Sequence, residues 1–351
     1  MSVSPRAGVV KIQAKKWSKT KILILCVNVA LVIFAALALV VSGLLKNTLD
    51  AQKFAEKWSS NTEPCGQVSV FLAGSAGLSA GEVDSVISRY EAALSEAEIP
   101  LSQWTCCYSA EGTLSVNALG QSIEAKAMGV GGDFFLFHDF RRLSGSFFSG
   151  NDLTQDRVVI DETLAWKLFG ASDVSGLEIT IGGQLYVIAG VVQAEDDFAS
   201  SAAYGSAPVI YLPFEALAMH SPDTKITCLE VVMPNPVDDF ALVTTNAIVT
   251  SLISEKDNVS IVYNTTRYSL SSLVGLISDF GVRSMRQADI KYPYWENAAR
   301  IIEDYVLLLT MIVFVLLIFP VISLMVLIVK FCRFCGLRIK EIGHWSRGFT
   351  N

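Results

Sequence analysis

The chain has 351 residues, of which 27 are basic and 34 acidic, giving a net charge of −7 at pH 7. The two ends hold 11 of the basic residues and one acid: residues 1–21 carry six Lys or Arg, and residues 330–351 carry five beside Glu341. Residues 46–304 therefore hold 16 basic and 33 acidic residues, a net charge of −17. Such an acidic segment argues against nucleic-acid binding, because phosphate contacts require clustered Lys and Arg. No glycine-rich phosphate loop of the GxxxxGK[ST] pattern occurs, which excludes a P-loop nucleotide site.

Two uncharged apolar runs, Ile22–Leu45 and Tyr305–Val329, enclose the acidic segment. As helices rising about 1.5 Å per residue, both are long enough to cross a hydrocarbon layer of roughly 30 Å. The first run resembles a cleaved signal peptide in its basic lead and its Ala36-Leu37-Ala38 sequence, but the apolar part of a signal peptide is normally only about 7–15 residues. We therefore predict two membrane-spanning helices in a lipid bilayer, the first of them an uncleaved anchor.

The charges beside the apolar runs predict the orientation of the chain. Basic flanks of a membrane span remain in the cytoplasm. We expect a protein of the cell (plasma or inner) membrane with both termini cytoplasmic and the central domain extracytoplasmic. The predicted order is a cytoplasmic basic tail, a first span, an extracytoplasmic domain, a second span and a cytoplasmic tail, at 1–21, 22–45, 46–304, 305–329 and 330–351.

The outer domain begins and ends with similar strand and helix patterns. Gln67–Ala73 alternates apolar and polar residues as a strand does, and Ser79 with Glu82 forms a capping box at the start of a helix. The second unit reads as strand, helix and strand at Ile226–Met233, Val237–Ile253 and Val259–Tyr263. Two such units far apart in the chain predict one α/β layer interrupted by an insertion.

The insertion, at about 120–220, consists of short β segments and one helix. Asp161 would cap this helix and Gly170 would end it. The Gly182-Gly183 pair between two alternating runs predicts a two-residue hairpin turn, because both positions accept a positive φ. The overall prediction is an α+β fold.

The segments beside and within the spans have few distinctive residues. Lys46–Ser60 looks like a stalk of mixed charge, and Glu296–Asp304 looks like a polar helical stalk that runs into the second span. Asn28, Thr310 and Ser323 are the notable polar residues inside the spans. We expect such groups to hydrogen-bond a neighbouring helix.

A series of motifs through the insertion resembles one known family. The motifs are Phe134–Phe148 with Asn151-Asp152 after it, Val158–Gly170, Asp173–Gly176 and Tyr186–Val192. In this order they resemble the extracytoplasmic core domain of MacB/FtsX-like ABC transporter permeases. That family has a Gly-x-x-Phe segment, a helix of the type V-I-x-E-x-L-A-x-x-L-F-G, a D-x-x-G turn and a hairpin ending in V-x-G-V.

This resemblance implies a fold, a role and partners. The fold would be an extracytoplasmic α/β porter-like domain with a β-rich insertion, flanked by two transmembrane helices. The role would be that of a permease-type (mechanotransmission) subunit in transmembrane transport, with ATP hydrolysed by a separate ABC ATPase. Typical members have four spans, so we expect a further permease subunit or a second copy of this chain to supply the others. The alternative is a membrane-anchored sensor or binding protein derived from such a permease.

The tail after the second span resembles the coupling segment of this family. The sequence from Arg338 to Gly343 resembles the start of the family's cytoplasmic R-x-x-E-I-G motif. The resemblance implies a short helix at Leu337–Gly343 that contacts the ATPase. The residues expected to make this contact are Arg338, Ile339, Glu341, Ile342 and Gly343.

Catalytic, cofactor-binding and metal-binding residues are not predicted. The three histidines, His138, His220 and His344, lie far apart in the sequence, and no Cys or His spacing in the outer segment fits a metal site. We therefore expect a protein that is not an enzyme and that needs no cofactor.

Four cysteines belong to the outer segment, where an oxidising environment favours disulfides. Cys65 opens the first strand, and Cys106 and Cys107 lie in a segment expected to pair near it. Adjacent residues of a strand point to opposite faces, so only one of the pair would suit. We predict a disulfide from Cys65 to Cys106 or Cys107 and a buried thiol at Cys228.

Overall fold

The computed structural model describes residues 18–347 except 60–62, 150–153, 196, 206, 254, 281–285 and 288. The side chains of Asp50, Asp279, Arg286 and Gln287 and of residues 336–347 also lie outside this description. The chain divides into two compact units, one made of residues 1–43 and 308–351 and the other of residues 44–307.

The described residues form ten α-helices. They are α1 Lys19–Lys46, α2 Phe54–Trp58, α3 Ala80–Glu96, α4 Phe134–Phe137, α5 Glu162–Phe169, α6 Phe198–Tyr204, α7 Phe214–His220, α8 Phe240–Leu252, α9 Leu270–Gly275 and α10 Tyr294–Arg347. Short 3-10 turns lie between several of them, including one at Asn264–Thr266.

Twelve strands occur among the same residues. They are β1 Cys65–Leu72, β2 Thr105–Ala118, β3 Gln121–Gly132, β4 Arg142–Gly145, β5 Arg157–Asp161, β6 Glu178–Ile181, β7 Gln184–Val192, β8 Val209–Pro213, β9 Cys228–Pro234, β10 Val259–Tyr263, β11 Arg286–Gln287 and β12 Ile290–Lys291.

Parts of α1 and α10 make up the smaller unit. Two helical stretches, Lys19–Lys46 and Tyr294–Cys335, are long and apolar enough to cross a membrane, in agreement with the two predicted spans. Their apolar side chains are largely exposed in the protein itself, which suits helices that face lipid. The amide Nδ2 of Asn28 donates a hydrogen bond of 3.3 Å to the hydroxyl of Ser323, so the expected polar contact between spans is confirmed for this pair.

One ten-stranded mixed sheet organises the larger unit. Its order is β10-β1-β9-β2-β3-β8-β5-β7-β4, with β6 pairing to β2 and β7. The two predicted strand–helix units interleave in its first half, where β1 lies between β10 and β9 and all three pair antiparallel. The insertion continues the same sheet, because β3 pairs with β2 from Gly132 to Gln121. The α/β fold with a β-rich insertion is confirmed.

Strand β1 is buried on both of its faces. Val68, Val70 and Leu72 pack in a core with α3 and α8. Phe71 on the opposite face belongs to a second, aromatic core that includes residues of α2, α4 and the first turn of α10. Since successive side chains of a strand alternate between faces, Gln67 and Ser69 also point into this second layer, where both are buried.

The helix caps and the hairpin turn that the sequence predicts are present in the structure. The backbone N–H of Ser79 donates to the Glu82 carboxylate at 2.8 Å in a capping box. Gly170 ends α5 with a φ of 70°, as a left-handed C-terminal residue does. Gly182 and Gly183 have φ values of 56° and 86°, the positive pair that a type I′ hairpin turn requires.

Both segments beside the spans are more deeply buried in the domain than their description as stalks implies. Over the described residues 46–59 of the predicted stalk Lys46–Ser60, Leu49, Phe54 and Ala55 are buried, so this segment is not a free stalk. Glu296–Asp304 is helical and continuous with the second span, as expected, but several of its polar side chains are buried in the domain. Glu296 and Glu303 bind Arg267, which lies 29 and 36 residues earlier in the chain, and local sequence does not reveal this partner.

Asp161 makes the stability of the domain depend on pH. Its carboxylate is buried and caps α5 by accepting the Leu164 N–H at 2.7 Å. Burial raises the pKa of Asp161 to about 6, although its hydrogen bonds act in the opposite direction. A carboxyl whose folded-state pKa is raised binds its proton more tightly in the folded state than in the unfolded state. Its stabilising contribution is therefore complete below pH ~4 and is lost as the pH rises through about 6.

We predict that Asp161→Asn removes this pH dependence, because Asn caps a helix about as well as Asp but does not titrate. Between pH 4 and pH 7 the wild type should lose about 3 kcal/mol of unfolding free energy relative to the variant. Thermal unfolding of both proteins across this range measures the difference. A constant difference between the two at all pH values would contradict the prediction.

Candidate functional site

A buried ionic network joins the start of α10 to the rest of the domain. Its centre is Arg267, which follows the 3-10 turn at Asn264–Thr266 and is only 4% exposed. We call this the Arg267 network, and it consists of Gln52, Asn264, Arg267, Glu296, Arg300 and Glu303.

Arg267 binds two carboxylates of α10. Its Nη1 and Nη2 atoms donate to the two oxygens of Glu296 at 2.7 and 2.8 Å, and its Nε donates to Glu303 at 2.6 Å. The second cation, Arg300, donates from Nε to Glu296 at 2.8 Å. Two positive and two negative side chains therefore balance in a region from which water is largely excluded.

The neighbouring charges outweigh the cost of burying these groups. Burial disfavours the charged form of Arg267, but the carboxylates of Glu296 and Glu303 raise the guanidinium pKa well above its ordinary value. Burial likewise acts to raise the pKa of Glu296, but Arg267 and Arg300 hold that pKa below its ordinary value. The pairing of Arg267 with Glu296 therefore favours the ionised form of both side chains at neutral pH.

The two arginines of the network make further contacts with neighbouring side chains. Arg267 Nη1 donates to Gln52 at 3.0 Å and to the Asn264 side-chain oxygen at 3.1 Å. The Arg300 guanidinium lies 3.5 Å from the centre of the Tyr292 ring, a cation–π contact. Satisfied partners of this kind are what allow charges to remain buried.

A second buried polar cluster lies across the middle of the sheet. Glu230 of β9 is directly opposite Ser69 of β1 on one side and Cys107 of β2 on the other. His138, which follows α4, covers this row and its Nε2 lies 2.8 Å from Glu230 Oε2. We call Ser69, Cys107, His138 and Glu230 the Glu230 cluster.

Aromatic side chains pack around the Glu230 cluster. The His138 ring centre lies 4.3 Å from that of Phe134 and 4.5 Å from that of Trp295. The Cys107 sulfur lies 3.9 Å from Glu230 Oε2. Burial, and next the charge of Glu230, raise the pKa of the Cys107 thiol well above its ordinary value. Cys228 is buried as predicted and its thiol pKa is raised in the same way.

Asn264 links the two clusters into one chain of hydrogen bonds. Its Nδ2 donates to Ser69 Oγ at 2.8 Å, and Ser69 donates to Glu230 Oε1 at 3.0 Å. On its other side Asn264 accepts from Arg267. Polar contacts therefore run without a break from His138, through the centre of the sheet, to the first turns of α10.

Most of these residues were not among the predicted site residues. The residues that bond to one another are far apart in the sequence; Ser69 and Glu230, for example, are separated by 161 residues. A search for residues at a characteristic spacing therefore does not find these clusters. One signal does exist: Glu230 is a single charge within the otherwise apolar strand Cys228–Pro234, and a charge buried on such a strand requires a partner. The sequence has no Cys or His spacing typical of a metal site, but this does not bear on Cys107, His138 and Glu230. These three residues are brought together by the tertiary structure.

The predicted disulfide does not form in this structure. Cys65, Cys106 and Cys107 are all free thiols. Strand β9 lies between β1, which holds Cys65, and β2, which holds the other two. Two strand spacings of about 4.8 Å place the Cα atoms beyond the roughly 7 Å that a disulfide can bridge. The Cys106 segment does lie near β1 in the sheet, but with one strand between them.

The predicted coupling residues belong to α10. The helix continues through Leu337–Gly343 and ends at Arg347. The side chains of Arg338, Ile339, Glu341, Ile342 and Gly343 lie outside the described part, so their contact with an ATPase stays a prediction.

One protein-family model matches most of this chain. The family model described as MacB-like periplasmic core domain matches residues 22–267. The chain belongs to this family. The matched region ends at Arg267 and thus contains the whole Glu230 cluster, while the α10 partners of Arg267 follow it. No curated protein sequence matches the chain.

Three solved structures align with about half of the chain at low identity. The extracellular domain of the noncanonic ABC-type transporter YknZ from Gram-positive bacteria has 14% identity and a TM-score of 0.41, covering 56% of this chain and 99% of that one. The periplasmic region of MacB from Actinobacillus actinomycetemcomitans has 15% identity and a TM-score of 0.41, covering 57% and 89%. A domain of a putative permease protein from Porphyromonas gingivalis has 17% identity and a TM-score of 0.35, covering 57% and 88%.

Family membership confirms the resemblance found in the sequence motifs. The chain carries the MacB-like periplasmic core domain of ABC-type transporter permeases. With its two apolar helices, it is a membrane protein with an extracytoplasmic domain.

We predict that Arg267→Met strongly destabilises this MacB-like domain. The substitution leaves Glu296 and Glu303 buried without their main partner, and breaking a buried pair in this way costs about 3–5 kcal/mol. The unfolding midpoint should fall by about 10 °C, as for a domain of this size. Tryptophan fluorescence during heating of the full chain in detergent measures the change.

The matched control is Lys57→Met, which removes the exposed partner of Asp139. These side chains are 43% and 65% exposed, and a pair of this kind contributes at most about 1 kcal/mol. Equal midpoints for the two variants would show that the Arg267 network does not hold the domain together.

Proposed function

We propose that this chain is a permease-type, mechanotransmission subunit of an ABC transporter, which works with a separate cytoplasmic ATPase to export or extract a substrate at the outer membrane face. Membership in the MacB-like family supports the transporter class. The attachment of α10 to the domain through the Arg267 network supports the mechanical role. A further permease subunit or a second copy of the chain would complete the assembly.

The observation that carries this proposal is the continuity of α10. The helix extends from Tyr294 to Arg347 and includes the second apolar stretch. Glu296, Arg300 and Glu303 have the spacing i, i+4 and i+7, which places them on one face of the helix. Two of these three side chains bind Arg267 directly. A movement of the first turns of α10 would therefore pull on Arg267 or break a buried ion pair.

The hydrogen-bond chain offers a route from the helix into the sheet. A displaced Arg267 would act on Asn264, and Asn264 on Ser69 of β1, which sits beside Glu230 of β9. Breaking one of the buried pairs by displacing a single partner costs several kcal/mol. The arrangement thus favours movement of the helix and the central strands as one body.

The proposed orientation places both termini in the cytoplasm. We predict that a cysteine introduced for Val243, an exposed residue of α8, reacts with a membrane-impermeant maleimide on intact cells. Cysteines introduced for Lys11 or Lys340 should react only after the cells are permeabilised. The wild-type chain gives the background from its own cysteines. Labelling of either tail in intact cells would overturn the orientation.

The proposed coupling segment makes a prediction about the ATPase. We expect Glu341→Lys to weaken the complex with the ATPase by ~100-fold, because a reversed charge at a paired interface position costs a few kcal/mol. A chain ending at Phe334 should lose the ATPase entirely. Affinity purification in detergent followed by mass spectrometry measures the ATPase recovered with each chain.

A charge reversal at Arg347, on the same tail but outside Arg338–Gly343, is the control and should leave the recovery unchanged. Equal recovery with wild type and with the chain ending at Phe334 would show that the tail is only a basic anchor. Wild-type chain that recovers no ATPase would instead favour the membrane-anchored sensor or binding protein.

A further inference from the structure

We propose that Cys107, His138 and Glu230 form a buried binding site for a divalent transition-metal ion, with Zn²⁺ as the ion that best suits them. The site lies between strands β2 and β9 and the segment after α4. It is independent of the proposed transport role, because it concerns how the domain is held together.

The three side chains offer the donor atoms that zinc prefers. Zinc is bound in proteins by cysteine sulfur, histidine nitrogen and carboxylate oxygen. A sulfur and an imidazole nitrogen together select zinc and related transition metals over magnesium and calcium, which prefer oxygen ligands alone. The fourth position of a tetrahedral ion would be left to a small ligand such as water.

The distances between the donor atoms are close to those of an occupied site. One ligand atom from each residue lies within 4.8 Å of the other two. Glu230 Oε2 is 2.8 Å from His138 Nε2 and 3.9 Å from Cys107 Sγ. With metal–ligand bonds of about 2.0–2.3 Å, tetrahedral ligand atoms are roughly 3.3–3.7 Å apart. Side-chain shifts of less than about 1 Å would thus open the cluster around an ion.

The charge balance of the cluster also suits a dication. Glu230 is only 1% exposed, and the basic group that touches its carboxylate is His138. A buried carboxylate needs a compensating charge. A dication would neutralise Glu230 and a Cys107 thiolate together, and the thiol proton would pass to solvent as the metal–sulfur bond forms.

The histidine presents its Nε2 atom to the ion beside Glu230. Its Nδ1 atom has no hydrogen-bond partner in the described part of the chain. When Nε2 binds the ion, the single proton of the neutral imidazole is carried by Nδ1. The hydrogen bond between His138 and Glu230 is then replaced by two metal bonds.

Neighbouring residues already orient the carboxylate. Ser69 donates to Glu230 Oε1 and is itself held by Asn264, so Oε2 is the oxygen presented to His138 and Cys107. Hydrogen bonds of this kind fix the direction of metal-binding carboxylates and raise metal affinity. The Glu230 cluster has this support before any ion binds.

Cobalt and zinc titration of the full chain tests the proposal. The protein is purified in detergent with an affinity tag that contains no histidine, and is stripped with a chelator. Cys332 and Cys335, a CxxC pair that offers two other thiols, are first replaced by alanine. Co²⁺ should then produce a thiolate-to-metal charge-transfer absorption that saturates at about one equivalent and disappears when Zn²⁺ is added. Zn²⁺ at ~100 times its Kd should raise the unfolding midpoint by about 5–10 °C.

Two variants assign the site to these residues. Cys107→Ala should abolish the charge-transfer absorption, and Glu230→Gln should weaken binding by more than the ~10–100-fold that losing a neighbouring hydrogen-bond partner costs. Cys228→Ala removes a buried thiol of the same strand as Glu230 that lies outside the cluster, and it should bind cobalt as the parent chain does. A parent chain without the absorption and without a shift in midpoint would overturn the proposal, whether or not the variants fold. Full absorption in Cys107→Ala would also overturn it.

Discussion

The pairing of Arg267 with two carboxylates of α10 is the constraint on which the rest of the domain depends. Burying four charges is costly, and the cost is offset only where every donor and acceptor meets its partner. Here Glu296 and Glu303 both meet the guanidinium of Arg267. A network of this kind contributes little net stability, but it strongly disfavours displaced arrangements. It therefore defines where the first turns of α10 lie against the sheet.

This constraint fixes the first turns of α10 within the MacB-like domain. The family match ends at Arg267, and the carboxylates that bind this residue belong to the helix that follows. A flexible linker at this point would absorb any movement of the span. Our proposal of a mechanotransmission role in an ABC transporter rests on the continuity of α10 and on the buried ion pairs of its first turns.

The Glu230 cluster extends the same principle to the centre of the sheet. β1 and β9 use their apolar side chains for the core with α3 and α8, and their alternate positions carry Ser69 and Glu230 into the opposite layer. Polar groups in that layer are tolerated because they bond to one another and to Asn264. The proposed metal site and the Arg267 network are therefore two ends of one buried polar chain.

The sequence by itself determined the two spans, the caps of α3 and α5, the Gly182-Gly183 turn and the family. These features depend on residues within a few positions of one another or on a regular period. Only the tertiary structure decided the partners of Glu230 and Arg267, which come from distant elements. It also placed β9 between β1 and β2, which pairs Glu230 with Cys107 and separates Cys65 from the thiols expected to bond it. Local propensities do not encode which strands become neighbours, because strand order follows from burying all apolar faces at once.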